Sequence, residues 1–128
     1  MPLFDANVIL RYLLNDHPTM SPEARKAVIA GGGTTPEVLA EVVYVLSGLY
    51  GMKRQDIAKA LIAFIDEVEM ADKASVQYAI QLFGVKKLDF VDCLLAGYHH
   101  IRGKTVVTFD RKLQSALKKN SLADSTEP

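Results

Sequence analysis

The chain of 128 residues carries one cysteine, Cys93. That excludes an internal disulfide and a cysteine-rich zinc site, and it fits a reducing compartment better than a secreted scaffold. An excess of charge is missing too: fifteen Lys plus Arg face fifteen Asp plus Glu, for a formal net charge of zero. The positive blanket by which many proteins hold nucleic acid is therefore absent, and any such contact must be local. No apolar run approaches the length of a membrane span, and Met1-Pro2-Leu3-Phe4 meets an acid at Asp5 with no basic stretch ahead of it, unlike a signal peptide. A cytoplasmic protein is expected. Gly31-Gly32-Gly33 lacks the Lys-Ser/Thr of a phosphate loop and does not form G-x-G-x-x-G, so it reads as a turn and not a nucleotide site. What is present is apolar substance: 49% of the residues are hydrophobic, which excludes intrinsic disorder and suffices for one core without covalent staples.

Apolar spacing and turn chemistry place the elements. Leu3-Phe4 reads as a short strand, followed by a helix on Val8, Ile9, Tyr12 and Leu13 that ends near Asn15. Ser21 with Pro22 opens a second helix that stops at Gly31, and Thr35 with Pro36 opens a third through Val38–Leu46. Further helices are expected from Arg54 to Asp66, Lys73 to Phe83, Asp89 (as cap) to His100, and Arg111 to Lys119. Val68-Glu69-Met70 is a brief extended piece, and Thr105-Val106-Val107-Thr108-Phe109 is the best strand, β-branched and bounded by turns. Strands separated by helices imply an α/β fold, a small parallel sheet flanked by helices, in a single domain over residues 1–120 with a frayed tail at 121–128. In such folds ligands gather beyond the carboxyl ends of the strands.

Four acids stand in apolar company. Asp5 lies between Leu3-Phe4 and Val8-Ile9-Leu10, Glu41 between Leu39-Ala40 and Val42-Val43, Asp92 between Phe90-Val91 and Cys93-Leu94, and Asp110 ends the Val106–Phe109 run. Burial of these groups is expected, and an isolated buried carboxylate costs several kcal/mol unless it finds a partner, a proton or a cation. Basic residues cluster elsewhere, at Lys53-Arg54, Lys86-Lys87 and Lys118-Lys119; only Arg11 and Arg111 lie near these acids in sequence. A divalent cation would resolve the charge, and all-carboxylate ligands suit a hard ion such as Mg²⁺. Each acid also has a plainer reading. Asp5 can cap the following helix, Asp89 can cap its helix with Asp92 three residues on, and Asp110 can close an Asx-turn; Glu41, in mid-helix, has no such role. One shared site explains the four together better than four separate local roles. His99 and His100 read as boundary residues, His17 as a loop residue, and Cys93 as a small core hydrophobe.

The ordered segments Asp5-Ala6-Asn7-Val8-Ile9-Leu10-Arg11-Tyr12-Leu13, Leu39-Ala40-Glu41-Val42, Asp89-Phe90-Val91-Asp92-Cys93-Leu94-Leu95-Ala96 and Thr108-Phe109-Asp110 resemble a PIN-domain ribonuclease of the VapC toxin type, over roughly residues 3–113. The resemblance implies a small parallel sheet ringed by helices and an acidic quartet, matched here by Asp5, Glu41, Asp92 and Asp110, that binds Mg²⁺ or Mn²⁺ and cuts RNA to 5′-phosphate and 3′-hydroxyl ends. Asp5 and Asp92 are assigned as primary ligands, with Glu41 and Asp110 on a second ion or its waters. Asn7 and Thr108 match supporting positions that orient ligands or water. The resemblance further implies a cognate antitoxin and a homodimer, and the helices Val38–Tyr50 and Arg54–Phe64 offer an apolar groove for a partner helix. Arg11, Lys86, Lys87 and Arg111 are candidate RNA contacts.

Three departures stand out: Ala6 replaces a hydroxyl residue, Gly32-Gly33-Thr34-Thr35 is a poor second strand, and no final strand is evident after Lys119. A phosphate-transferring hydrolase with an Asp nucleophile wants a second acid where Asn7 stands. A receiver domain wants a lysine ending a late strand, where Thr108-Phe109-Asp110 supplies none. The remaining alternative is a catalytically inactive PIN scaffold that binds protein or RNA.

Overall fold

The computed structural model describes residues 1–120 and 122. Seven helices run in order among them: α1 Ala6–Leu14, α2 Met20–Ala30, α3 Pro36–Gly48, α4 Arg54–Ile65, α5 Lys73–Val85, α6 Phe90–Arg102 and α7 Arg111–Lys118. The helix boundaries obey the local chemistry. Asp5 caps α1 by accepting from the Val8 amide, and Asn15 closes it in a left-handed conformation. Thr35 caps α3 with Pro36 in its first turn, and Gly103, also left-handed, ends α6. At α2 the helix starts earlier than Ser21. Thr19 holds the cap position, while Ser21 is buried and its hydroxyl accepts from the His17 amide at 3.1 Å.

The expected parallel sheet flanked by helices is not found. Among the described residues the extended pieces meet only at two isolated parallel bridges, Leu3 with Gly33 and Gly33 with Glu69. Four hydrogen bonds hold them: Phe4 N to Gly33 O (2.7 Å), Gly33 N to Pro2 O (2.9 Å), Thr34 N to Glu69 O (3.1 Å) and Glu69 N to Gly32 O (2.9 Å). The buried Thr34 hydroxyl adds a bond to Phe4 O at 3.1 Å. The pieces stop short of strands because α1 and α3 begin within a few residues and because Pro2 has no amide to donate. Gly33 is required at the centre: a Cβ there would lie 2.6 Å from Glu69 O.

Thr105–Phe109 is likewise not a strand. Val107 and Phe109 are 87% and 97% exposed. Thr108 turns its polar groups toward α7, its hydroxyl accepting from the Asp110 amide at 3.0 Å and its carbonyl from Gln114 Nε2 at 2.8 Å. β propensity reflects packing on a neighbouring strand, and none adjoins among the described residues.

The core is helical. Ile9, Leu39, Val42, Leu46, Ile57, Leu61, Phe64, Val76, Ile80 and Cys93 are at most 1% exposed, each large aliphatic or aromatic side chain contributing roughly 1.5–3 kcal/mol by burial. Helices α5 and α6 pack most extensively, and a Cβ on Gly97 would sit 2.5 Å from Ser75 O. Packing then runs from α1 to α3, from α3 to α6 and from α6 to α7. His99 Nδ1 lies 2.7 Å from Lys104 O and His100 Nε2 2.8 Å from Ala116 O, so the first ring ties α6 to the segment just past its end and the second ties it to α7. No described helix is long and apolar enough to cross a membrane. The expected fraying of 121–128 falls outside the described residues except at Leu122, which packs on the core.

Candidate functional site

The four sequence-predicted acids ride on the four helices that pack in succession. Asp5 is the N-cap of α1, Glu41 lies in the second turn of α3, Asp92 in the first turn of α6, and Asp110 is the N-cap of α7. Their expected burial does not hold: Asp5, Glu41 and Asp110 are exposed, and Asp92 alone is half-buried. A terminal or outward helical position lets an acid sit beside apolar sequence neighbours while its carboxylate reaches solvent. Neighbours in sequence are a poor guide here to neighbours in space.

Two acids have local work. Asp5 Oδ1 accepts from Val8 N and Asp110 Oδ1 from Leu113 N, both at 3.0 Å. Asp89 also occupies an N-cap position, that of α6, yet its side chain makes no capping bond. Three residues on, Asp92 shares its helix face, as i and i+3 positions do. The Asp92 carboxyl is held above its ordinary range, first by burial and then by the negative charges of Asp89 and Asp110. Asp89 and Asp110 therefore both add negative potential at Asp92. Asp5 and Glu41 belong to the same helix assembly. None of these five acids forms an ion pair among the described residues.

An open groove of about 730 Å³ lies between the second half of α3 and the start of α6, with Tyr44, Leu49, Arg54, Asp89, Val91 and Asp92 on its walls. The supporting residues divide. Thr108 holds the Asp110 amide, as above, whereas Asn7 is exposed on a separate groove between α1 and α2. Arg11 is occupied by Asp16 at 2.8 Å and by the Tyr50 hydroxyl at 3.1 Å, which removes it from the free cations; Lys86, Lys87 and Arg111 are exposed. Cys93 is buried, donates to Leu88 O at 3.6 Å, and its thiol is pushed up to about 12 chiefly by burial, which keeps it protonated and unreactive.

Among the described residues no three His, Cys, Asp or Glu side chains converge closely enough to cage a metal ion. The donor chemistry is nonetheless all oxygen, and Asp92 with its acidic neighbours forms no ion pair with a protein cation among those residues. Such a set fits an ion of the Mg²⁺ kind, which takes one or two carboxylates and completes its shell with water and substrate phosphate. It does not fit a closed protein cage.

Sequence reasoning gives Asp89 to capping and so leaves it out of the site; the Asp-x-x-Asp spacing is the available signal. Nothing in the sequence distinguishes Arg54 from its neighbour Lys53. A family model described as PIN domain matches residues 3–119. No curated protein and no solved structure matches the chain.

Proposed function

Because the chain belongs to the PIN domain family, whose members are generally nucleases that use divalent metal ions, we propose that it is a Mg²⁺- or Mn²⁺-dependent endoribonuclease and the toxin of a toxin-antitoxin pair. The observation that carries this reading is Asp92: half-buried, raised in pKa by burial and by Asp89 and Asp110, and without an ion pair among the described residues. A charge kept at such a cost, without a capping or ion-pairing role, is what a cation site requires.

In this reading Asp92 and Asp5 are the primary ligands, Glu41 and Asp110 serve a second ion or its waters, and Asp89 strengthens the negative field. A bound ion supplies a coordinated water of lowered pKa and neutralises charge on the phosphate oxygens. The chain itself holds the carboxylates in the early turns and at the starts of its helices. Thr108 fixes the backbone of Asp110, and the exposed Lys86, Lys87 and Arg111 are available to RNA phosphates around an otherwise acidic centre. Products with 5′-phosphate and 3′-hydroxyl ends are the corresponding chemistry. An antitoxin segment would lie along the groove beside Tyr44 and Leu49, and a homodimer is the proposed assembly.

Incubating the purified chain with total RNA and Mg²⁺, beside Asp92→Asn, tests the activity. Metal-dependent cuts lost in the variant support it, and cuts that persist unchanged in the variant refute it. One observation favours the second reading, an inactive scaffold: no three described acids converge. Calorimetric titration with Mn²⁺ separates the two, because the scaffold binds nothing at millimolar metal.

A further inference from the structure

Arg54 begins α4, yet its guanidinium belongs to the turn between α5 and α6. Nη1 lies 3.2 Å from Phe83 O, 2.9 Å from Lys86 O and 2.9 Å from Leu88 O, and the guanidinium carbon stands 4.2 Å above the centre of the Phe83 ring. These carbonyls belong to the last turn of α5 and to the link ahead of Asp89, whose own carbonyl takes the Cys93 amide at 2.9 Å to open α6. A planar, always charged group is suited to this task; a lysine ammonium is a point donor and cannot stack in the same way.

Arg54 also shares a groove with Asp89 and Asp92. It forms no ion pair with either. The only cation among the described residues of that wall is thus directed to backbone carbonyls and forms no ion pair with the carboxylates.

We infer that Arg54 is a positioning residue of the acidic site: its guanidinium fixes the Phe83–Leu88 turn, and through it the placement of Asp89 and Asp92 toward a divalent cation. This rests on the reading of Asp92 as a metal ligand. Groups that orient a ligand from behind typically change metal affinity 10–100-fold when removed.

The test uses the full chain with Arg54→Ala, Arg54→Lys, the neighbouring control Lys53→Ala and Asp92→Asn, each titrated with Mn²⁺ by calorimetry well below its unfolding midpoint. Arg54→Ala should lose about tenfold or more in Mn²⁺ affinity, with faster amide exchange at Cys93. Lys53→Ala should match the parent, and millimolar methylguanidinium should restore part of the affinity of Arg54→Ala. If Arg54→Ala does not fold, Arg54→Lys decides, and it should also bind Mn²⁺ more weakly than the parent. Folded Arg54 variants that bind Mn²⁺ like the parent overturn the inference, while loss of binding in Asp92→Asn alone preserves the metal site. A parent chain that binds no Mn²⁺ overturns both.

Discussion

Asp72 and Asp92 both lie at the start of a helix, and they are held in opposite ways. Asp72 caps α5 at Ser75 N and takes Nε and Nη2 of Arg102 at 2.9 and 2.5 Å, so the guanidinium holds its carboxyl down at about 2. Asp92 caps nothing, pairs with nothing described, and is pushed up by burial and by two like charges. Asp5 and Asp110 stand between these extremes, with a cap but no cation. Where this chain uses an acid for structure it supplies the hydrogen bond or the charge that makes the anion comfortable. Around Asp92 it supplies neither among the described residues, and the proposed cation site accounts for that difference.

The largest effect that could break this contrast is at Asp92 itself. Asp92→Asn keeps the shape and removes the charge, so RNA cleavage should fall by roughly a hundredfold or more, and Mn²⁺ binding should weaken with it. Thermal unfolding without metal should occur at the same or a higher temperature, because the variant removes a repelled, half-buried anion. A variant that loses activity and also melts much lower would make Asp92 a structural acid after all.

How much of this is legible in the sequence depends on how local the physics is. The caps at Asp5 and Thr35, the Gly103 stop and the start of α7 at Asp110 are decided within four residues, and they are readable. The sheet is not. Whether Leu3-Phe4 or Thr105–Phe109 becomes a strand depends on a neighbour supplied by a distant segment, and the chain brings Gly33 and Glu69 within reach only for single bridges. Burial of the acids fails for the same reason, since Glu41 sits among core residues in sequence but on the solvent side of α3 in space. At the site, the charge of Asp110 acts on Asp92, and one shared site for the four acids is the proposal. Asp89 escapes sequence reasoning because an N-cap position does not by itself form a capping bond.

A smaller effect sharpens the middle of the series. Asp5→Ala and Asp110→Ala each delete a capping bond and should cost about 1 kcal/mol in denaturant unfolding. Asp5→Asn and Asp110→Asn preserve that bond, since asparagine caps nearly as well, and should lie within a few tenths of a kcal/mol of the parent. If both acids also serve a cation, the asparagine variants should still lose cleavage while retaining stability. Full cleavage by the asparagine variants would leave these two acids as caps alone.

The smallest effect is read in acid and concerns the opposite end of the comparison. Because the folded-state pKa of Asp72 is lowered from 3.8 to about 2, the folded chain resists protonation there more than the unfolded chain does. Its stabilising contribution is therefore complete above about pH 4 and is lost as the pH falls toward 2. Arg102 is half exposed, so solvent screens the pair and the loss should fall well short of the full value of the shift. Asp72→Asn keeps a residue type that tolerates the left-handed backbone at this position, φ 51°, and can still cap α5. It should start less stable at neutral pH and lose less between pH 4 and 2. Asp92 contributes with the reverse sign, because protonating it relieves repulsion from Asp89 and Asp110 as the pH falls through its raised pKa. Urea unfolding at several pH values on the parent and on both asparagine variants measures the two slopes. Equal acid sensitivity in all three chains would show that these carboxyls are not held differently.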